Sequence, residues 1–340
     1  MKILHLMAFR FWSGPAETVF QLALSQRTAG HTVYVAIDQS GDPIQAEEAA
    51  RPYFENAGLL LSGNYTLSPR DFGLSTIVDI QFLAQSEFDV LHCHTTHDHM
   101  LASFSTRLRR SLKPRVIRSF HKPVKGTTPL LVTDGYTAPH EGFDSRMPLD
   151  ILNAVLPPLV SDSYRPATDK LSLKQKLGCS ARHVVGMVST FKESRKHGLG
   201  LESFKLLLKE VPDAELILIG DGELKDEIQD DVVQKGLSDS VNLVGYKEGS
   251  DYIEALQVLD LVWVLGLGND WSGRAAAQAR ACGVKVVAID IGGLPVFANA
   301  LVSEDARDVA QKTKEVLRSD DLNPWHSNLE PMVWPELYGV

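Results

Sequence analysis

Two periodicities alternate along the chain. Short apolar runs are separated by longer segments in which apolar positions recur every three or four residues. The first pattern predicts buried strands and the second helices. Residues 2–7 read as a strand, 16–29 as a helix and 32–37 as the next strand. Gly30 ends that helix, where a residue without a Cβ suits a left-handed cap. Strand, helix and strand in this order imply a right-handed crossover and a parallel sheet. Residues 40–75 are irregular and rich in Gly, Pro and Asn, with a short helical piece over 44–57. A helix over 76–84, a strand over 88–92, a helix over 99–110 and a strand over 115–120 follow, and the pattern then weakens to about residue 160.

The alternation restarts at residue 183. Strands are predicted over 183–190, 215–219, 241–244 and 261–264, with helices over 199–209, 224–235 and 250–257 between them. A polar loop, Gly268 to Gly273, then feeds an Ala-rich helix that stops at Cys282-Gly283, followed by the apolar run Val284–Ile291 and a Gly292-Gly293 turn. Prolines cluster over 157–166 and mark the boundary between two doubly wound α/β domains, with a first domain over 1–160, a second over 161–325 and a terminal segment over 326–340. In open α/β sheets ligands bind outside the carboxyl ends of the strands, so the expected site is a cleft faced by both domains. A helix that starts in a Gly/Ser/Asp loop presents free N–H groups and a positive dipole end, which favours an anion such as a phosphate.

Composition narrows the classes. A length of 340 residues suggests about two domains, and an apolar content of 44% can fill two cores. A net charge of −9 with no long basic run speaks against nucleic acid as a partner. Cys93, Cys179 and Cys282 are far apart, without the spacing of a disulfide framework or a metal site, and fit a reducing compartment. The opening MKILHLMAFRFWSG has too short an apolar run for a signal peptide, and no stretch approaches ~18 apolar residues. The expectation is a soluble cytoplasmic protein.

Seven segments, in order, carry a family resemblance. They are SGPAETVFQLALSQRTAGHTV from Ser13, FDVLHCH from Phe88, VIRSFH ending at His121, VGMVSTFKESRKHG from Val185, VPDAELILIGDGELKDEI from Val211, VNLVGY ending at Tyr246, and GVKVVAIDIGGLP from Gly283. Together they resemble the nucleotide-sugar glycosyltransferases of the GT-B fold, in particular retaining family 4, over nearly the whole chain. The resemblance implies two Rossmann-like domains facing a cleft and transfer of a hexose from a UDP- or GDP-sugar to a hydroxyl. It implies no metal and no cofactor beyond the donor substrate. The acceptor would be a glycan, a lipid-linked group or a small molecule; the helix after Gly14 is not strongly basic, so a membrane acceptor is less supported.

The same resemblance implies site residues. A departing diphosphate gains charge in the transition state, so fixed cations and N–H donors must be aimed at it. Lys196 matches the family's lysine, Thr190 stands where it has an arginine, and Arg195 is the candidate substitute. Otherwise Arg195, Lys196 and His197 read as a solvated surface loop. Gly14 would offer its N–H to the β-phosphate. The family's two carboxylates, E-x7-E, bind sugar and ribose diols; Asp270 and Gln278 occupy those positions, and Gln278 lacks the charge. Ser272, Gly273 and Arg274 complete the donor loop, with Asp270 and Ser272 equally readable as helix caps. Gly222 and Tyr246 would surround the base.

On the acceptor side the resemblance places His121 in the cleft, where it could hydrogen-bond a sugar or transfer a proton; the alternative is a core histidine. His92, His94, His97 and His99 follow a strand into a loop and are not expected to bind metal. Phe9, Phe11 and Trp12 either shape the acceptor pocket or cap the core. Lys285 departs from the usual proline, and Leu156–Val160 replaces the family's P-N-G. The losses at Thr190 and Gln278 motivate a second reading, a catalytically impaired relative that binds a nucleotide, a glycan or a partner subunit. A third, minor reading is a sugar-nucleotide epimerase or a phosphorylase.

Overall fold

The structure, a computed structural model, describes residues 1–41, 49–69, 73–110, 112–122, 131–141, 143, 151–267, 272–319 and 337–338. The chain divides into two compact units, Met1–Leu159 with Ser327–Val340, and Val160–His326. No helix among the described residues is long and apolar enough to cross a membrane.

The first unit contains β1 (Lys2–Met7), α1 (Gly14–Thr28), β2 (Thr32–Ile37), α2 (Arg51–Asn56), α3 (Leu74–Gln85), β3 (Val90–Cys93), α4 (Thr96–Leu108), β4 (Arg115–Ser119), β5 (Gly135–Ala138) and β6 (Leu152–Val155). Its six strands are parallel in the order β2-β1-β3-β4-β5-β6. Alternate strand residues feed two cores. Ile3, Met7, Val33 and Val35 pack with α1 on one face, while Leu4, Leu6, Leu91 and Cys93 pack with α4 on the other. Leu337 and Tyr338 are buried in the first of these cores. Trp12 stacks on Tyr53 with centroids 3.8 Å apart and meets Phe20 and Phe54 edge-on, so it caps this core.

The second unit contains α5 (Lys170–Lys176), β7 (His183–Val188), α6 (His197–Leu207), β8 (Ala214–Ile219), α7 (Lys225–Gln234), β9 (Val241–Gly245), α8 (Gly249–Gln257), β10 (Leu261–Val264), α9 (Arg274–Ala281), β11 (Lys285–Ile289), β12 (Ala300–Val302) and α10 (Ala306–Arg318). The parallel order is β12-β11-β10-β7-β8-β9, the dinucleotide-fold order with its reversal between β7 and β10. Val185, Met187, Leu216 and Trp263 face α6 and α10, while Val184, Ile217 and Val262 face α8 and α9. The alanines of α9 are spent here: Ala276, Ala277 and Ala279 are fully buried, and their small side chains let the helix lie close on the sheet.

Three sequence expectations change. The helical piece placed over 44–57 is confined to Arg51–Asn56 among the described residues, 42–48 lying outside them. Strands β5 and β6, GYTA and LNAV, fall where the pattern weakens, because four residues with few large apolar side chains make no recognisable run. Helix α5, KLSLKQK, escapes notice because it is almost wholly polar. Lys285 is explained by packing: its buried ammonium donates to the carbonyls of Val316 (3.0 Å) and Ser319 (2.5 Å) at the carboxyl end of α10.

The Gly-Asp-Gly turn after β8 is a close approach of two backbones. Gly222 has φ +158°, and a Cβ there would lie 2.5 Å from the Phe191 carbonyl oxygen and 2.8 Å from its nitrogen. The Phe191 N–H donates to Asp221 O at 2.9 Å and the Leu224 N–H to Phe191 O at 3.2 Å, stitching the β7 and β8 loops together. Gly222→Ala should therefore destabilise the protein by about 1–3 kcal/mol, read as a lower calorimetric midpoint. Gly198→Ala, in helix α6 with nothing within 4 Å of the added carbon, should be neutral or stabilising.

Candidate functional site

The second unit's switch point lies beyond β7 and β10. After β7 the chain makes a short turn through Arg195, and Lys196 caps α6 in the left-handed region (φ 58°, ψ 40°), a conformation unusual for a residue with a Cβ. Gly266, beyond β10, permits this loop to pack: a Cβ there would come within 3.0 Å of Arg195 Cδ. Leu267 donates to Ser194 O at 2.8 Å, and the chain continues directly into residues 268–271. Arg195 is thus held beside Gly266 and Leu267, and Asp270 lies outside the described residues. Lys196 pairs with Glu304 at 3.3 Å. His197 does not belong to a solvated loop. It is buried, packs edge-on against Phe191, and burial, aided by Arg195, lowers its pKa to about 4.

A cavity of about 380 Å³ opens at the carboxyl ends of β7, β8 and β9. Ser189, Thr190, Asp221, Tyr246, Tyr252, Arg274 and Gln278 line it. Arg274 begins α9 and the N-cap is Gly273 at φ +68°, which offers no side-chain cap, so Ser272 is not the N-cap residue. A Cβ on Gly273 would meet the Phe297 ring at 2.9 Å, which explains a glycine there. Gln278 is buried one helical turn on. With its amide oxygen turned to Arg274 it accepts from Nε (3.3 Å), Nη2 (3.2 Å) and the Tyr164 hydroxyl (3.1 Å), and its NH₂ donates to the Tyr252 hydroxyl (3.0 Å). Burial lowers the Arg274 pKa to about 10, leaving it charged at neutral pH, and pushes Tyr164 up to about 12. Tyr246 is 70% exposed at the rim.

The structure therefore brings Tyr246, Arg274 and Gln278 together. Lys196 lines a different cavity, of about 410 Å³, with Glu227, Asp230 and Asp231. Gly222 stands one residue beyond Asp221, committed to backbone contact. Tyr164 and Tyr252 were missed because their approach to Gln278 is non-local. The Arg274–Gln278 pair was legible as an i, i+4 spacing on a helix.

In the first unit the reversal lies between β1 and β3. Helix α1 starts there at Gly14, with Ser13 as its cap accepting from Ala16 N at 3.4 Å. Asp98, in the first turn of α4, accepts from the backbone N–H groups of Ala8 (3.0 Å), His94 (3.2 Å) and Thr95 (2.8 Å). His121 follows β4, half-buried, with Nε2 3.1 Å from His94 Nδ1. His94 Nε2 is 3.0 Å from His5 Nδ1, and His92 lies beside both, with ring centroids 4.9 and 4.7 Å away. These are three core histidines and one at the core's edge. His5, His92 and His94 bring ligand-capable nitrogens within 4.8 Å of one another, although each also has a hydrogen-bond partner. His99 is separate and bonds Thr133 Oγ1 at 2.7 Å. His5 went unmarked in the sequence because it meets the others only through strand pairing.

Comparison with known proteins adds identity to this geometry. Residues 12–157 match the family described as Glycosyltransferase Family 4, and residues 169–323 match Glycosyl transferases group 1. The chain belongs to the GT-B glycosyltransferases, as a divergent family 4-like member. Among its relatives is a phosphatidyl-myo-inositol mannosyltransferase of Mycolicibacterium smegmatis, 25% identical over 86% of this chain and 76% of the relative. An N-acetyl-alpha-D-glucosaminyl L-malate synthase of Bacillus anthracis is 22% identical over 92% of this chain and 86% of its own. The fold is shared with Anabaena HepE, solved with UDP (TM-score 0.74, 16% identity, 100% of this chain and 94% of that one). It is shared too with the lipopolysaccharide outer core galactosyltransferase WaaB (TM-score 0.73, 13% identity, 100% and 99%).

This glycosyltransferase buries neutral histidines. Burial lowers His5 and His99 to about 4 and His121 to about 3, and takes His92 and His94 well below the ordinary value. Unfolded histidines bind protons below about pH 6.5, which these cannot do in the folded state, so stability is lost as pH falls from 6.5 toward 4. Burial raises the carboxyls of Asp98, to about 7, and Asp79, and these offset part of the loss. The unfolding midpoint should fall steeply over that window. His99→Gln should flatten the slope by about 1.4 kcal/mol per pH unit, measured by denaturant titration at a series of pH values.

Proposed function

We propose that this glycosyltransferase moves a hexose from a UDP- or GDP-sugar to a hydroxyl acceptor with retention of anomeric configuration. The observation that carries the reading is the cavity at the carboxyl ends of β7, β8 and β9, in the dinucleotide-fold unit, with Arg274 held inside it. In the reaction the C1–O bond to the β-phosphate breaks. The acceptor oxygen bonds C1 on the face the diphosphate leaves, and the acceptor proton passes to a β-phosphate oxygen.

In this reading Tyr246, Gly222 and Asp221 surround the base, and Arg274 and Gln278 face the ribose and its adjoining phosphate. Arg195 meets the charge on the departing diphosphate, with Ser272 and Gly273 beside it, so that no metal or further cofactor is required. Asp270 holds the sugar hydroxyls, and His121 contacts a substrate hydroxyl. The acceptor class is a glycan, a lipid-linked group or a small molecule, and the place of action is the cytoplasm, in keeping with the free thiols of Cys93, Cys179 and Cys282.

A second reading, a nucleotide-binding scaffold without transfer, is favoured by one observation. Gln278 spends its amide on Arg274, Tyr164 and Tyr252, where a second carboxylate would otherwise serve the donor.

Calorimetric titration with UDP- and GDP-hexoses separates the readings. Binding of one donor, weakened about tenfold or more by Arg274→Met, is expected. Asp270→Ala should retain nucleotide binding and lose turnover of the donor. A donor bound by the wild type but never turned over with any hydroxyl acceptor would leave the scaffold, and no binding at all would remove the donor site.

A further inference from the structure

One face of the first unit's sheet carries a row of polar side chains where a buried parallel sheet is ordinarily apolar. His5 and His92 are register partners on β1 and β3, His94 lies two residues further on, and Ser119 and Thr137 are register partners on β4 and β5. All are buried. Groups of this kind persist in a core only when each is satisfied, and here they are satisfied by one continuous chain. It runs from His121 Nε2 to His94 (3.1 Å), to His5 (3.0 Å) and to Gln26 Oε1 (2.7 Å). From Gln26 Nε2 it continues to the Tyr338 hydroxyl (2.6 Å), His92 Nδ1 (2.8 Å), Ser119 Oγ (2.7 Å from His92 Nε2) and Thr137 Oγ1 (2.5 Å).

The chain has a direction. A neutral imidazole has one donor and one acceptor nitrogen, and an amide oxygen only accepts. His5 must therefore carry its proton on Nε2, toward Gln26. Its Nδ1 accepts, so His94 is protonated on Nε2; His94 Nδ1 accepts in turn, so His121 is protonated on Nε2. On the other branch the Gln26 NH₂ donates to the Tyr338 oxygen, the Tyr338 hydroxyl donates to His92 Nδ1, and His92 donates to Ser119. Turning the Gln26 amide by half a turn reverses every bond in both branches and moves the His121 proton to Nδ1.

We propose that Gln26, His5 and His94 are positioning residues for His121, and that the orientation of the Gln26 amide, hydrogen-bonded to Tyr338, decides which His121 nitrogen carries the proton. In the orientation present His121 keeps a lone pair on Nδ1, the form that accepts from a hydroxyl. The chain orients and does not conduct, because an amide oxygen is too weak a base to take up a proton at its far end. Its consequence for transfer rests on the reading of His121 as a substrate contact.

The test is the two-bond ring-nitrogen NMR spectrum of 15N-histidine-labelled protein near neutral pH, with the His121 signals assigned through His121→Asn. His121 should be protonated on Nε2 in the wild type. Gln26→Leu should convert it to a mixture of tautomers, Tyr338→Phe should do so by freeing the amide, and Gln26→Glu, which only accepts, should restore the Nε2–H form. In parallel, Gln26→Leu should lower kcat about tenfold with the donor KM unchanged, and Gln26→Glu should recover it. Thermal unfolding shows which variants are folded, and either Gln26→Leu or Tyr338→Phe suffices. A wild-type Nδ1–H tautomer, or one indifferent to both variants, overturns the proposal. So does stoichiometric Zn²⁺ bound by the purified protein and lost in His5→Gln, because these nitrogens would then be ligands. A tautomer that shifts while turnover does not would leave the positioning chain standing and remove His121 from the reaction.

Discussion

Three backbone N–H groups converge on the Asp98 carboxylate, from Ala8, His94 and Thr95. Ala8 follows β1, His94 follows β3, and Asp98 itself opens α4. One side chain therefore fixes where two neighbouring strands end and where a helix begins, at the point where the sheet order reverses. N–H groups at a buried element end need a partner beyond the ladder; Asp98 answers those of Ala8 and Thr95, and shares that of His94 with the Leu6 carbonyl at 3.2 Å. Thr95 and Asp98 also form a reciprocal cap, so the same carboxylate terminates the strands and starts the helix. Everything placed at that edge, the histidine stack included, inherits its position from this junction.

The second unit solves the same problem with glycine. Gly220 and Gly222 let the β8 turn lie against the backbone of Ser189 and Phe191, and Gly266 and Gly273 do the same for Arg195 and Phe297. Where the first unit uses a carboxylate to hold loops, the second uses absent side chains to let loops touch. The result is a cavity whose charged lining, Arg274, bonds Gln278, which two tyrosines hold in turn. Replacing a carboxylate by an amide at 278 removes a charge and keeps the geometry of an acceptor. The pair Arg274–Gln278 is thus a neutral-acceptor version of an ion pair.

The fold was legible wherever the apolar run and the burial coincide. Leu261–Val264 is such a case, because a strand covered on both faces is ordinarily apolar along its length. Strands β5 and β6 were not, since Gly135, Thr137 and Asn153 break any such run, and pairing with β4 supplies what their composition lacks. Motif spacing located Arg274 and Gln278, which do share a cavity. It could not say that Lys196 lines another, nor that Tyr164 would cross to Gln278, because both follow from tertiary approach. His5 shows the same boundary. In the run KILHLM it is one polar residue in a strand, and only the register with β3 makes it part of a stack.

Tyr338 gives the first unit a property of timing. Its ring closes a core begun by Ile3 and Val19, and its hydroxyl completes a hydrogen-bond circuit whose other members all lie before residue 140. A chain emerging from the ribosome amino end first makes nearly all of this unit early and must wait for the whole of the other before its last piece arrives. The second unit, unbroken from Val160 to His326, has every residue it needs sooner. The part of the molecule that is synthesised first is thus the part that is finished last.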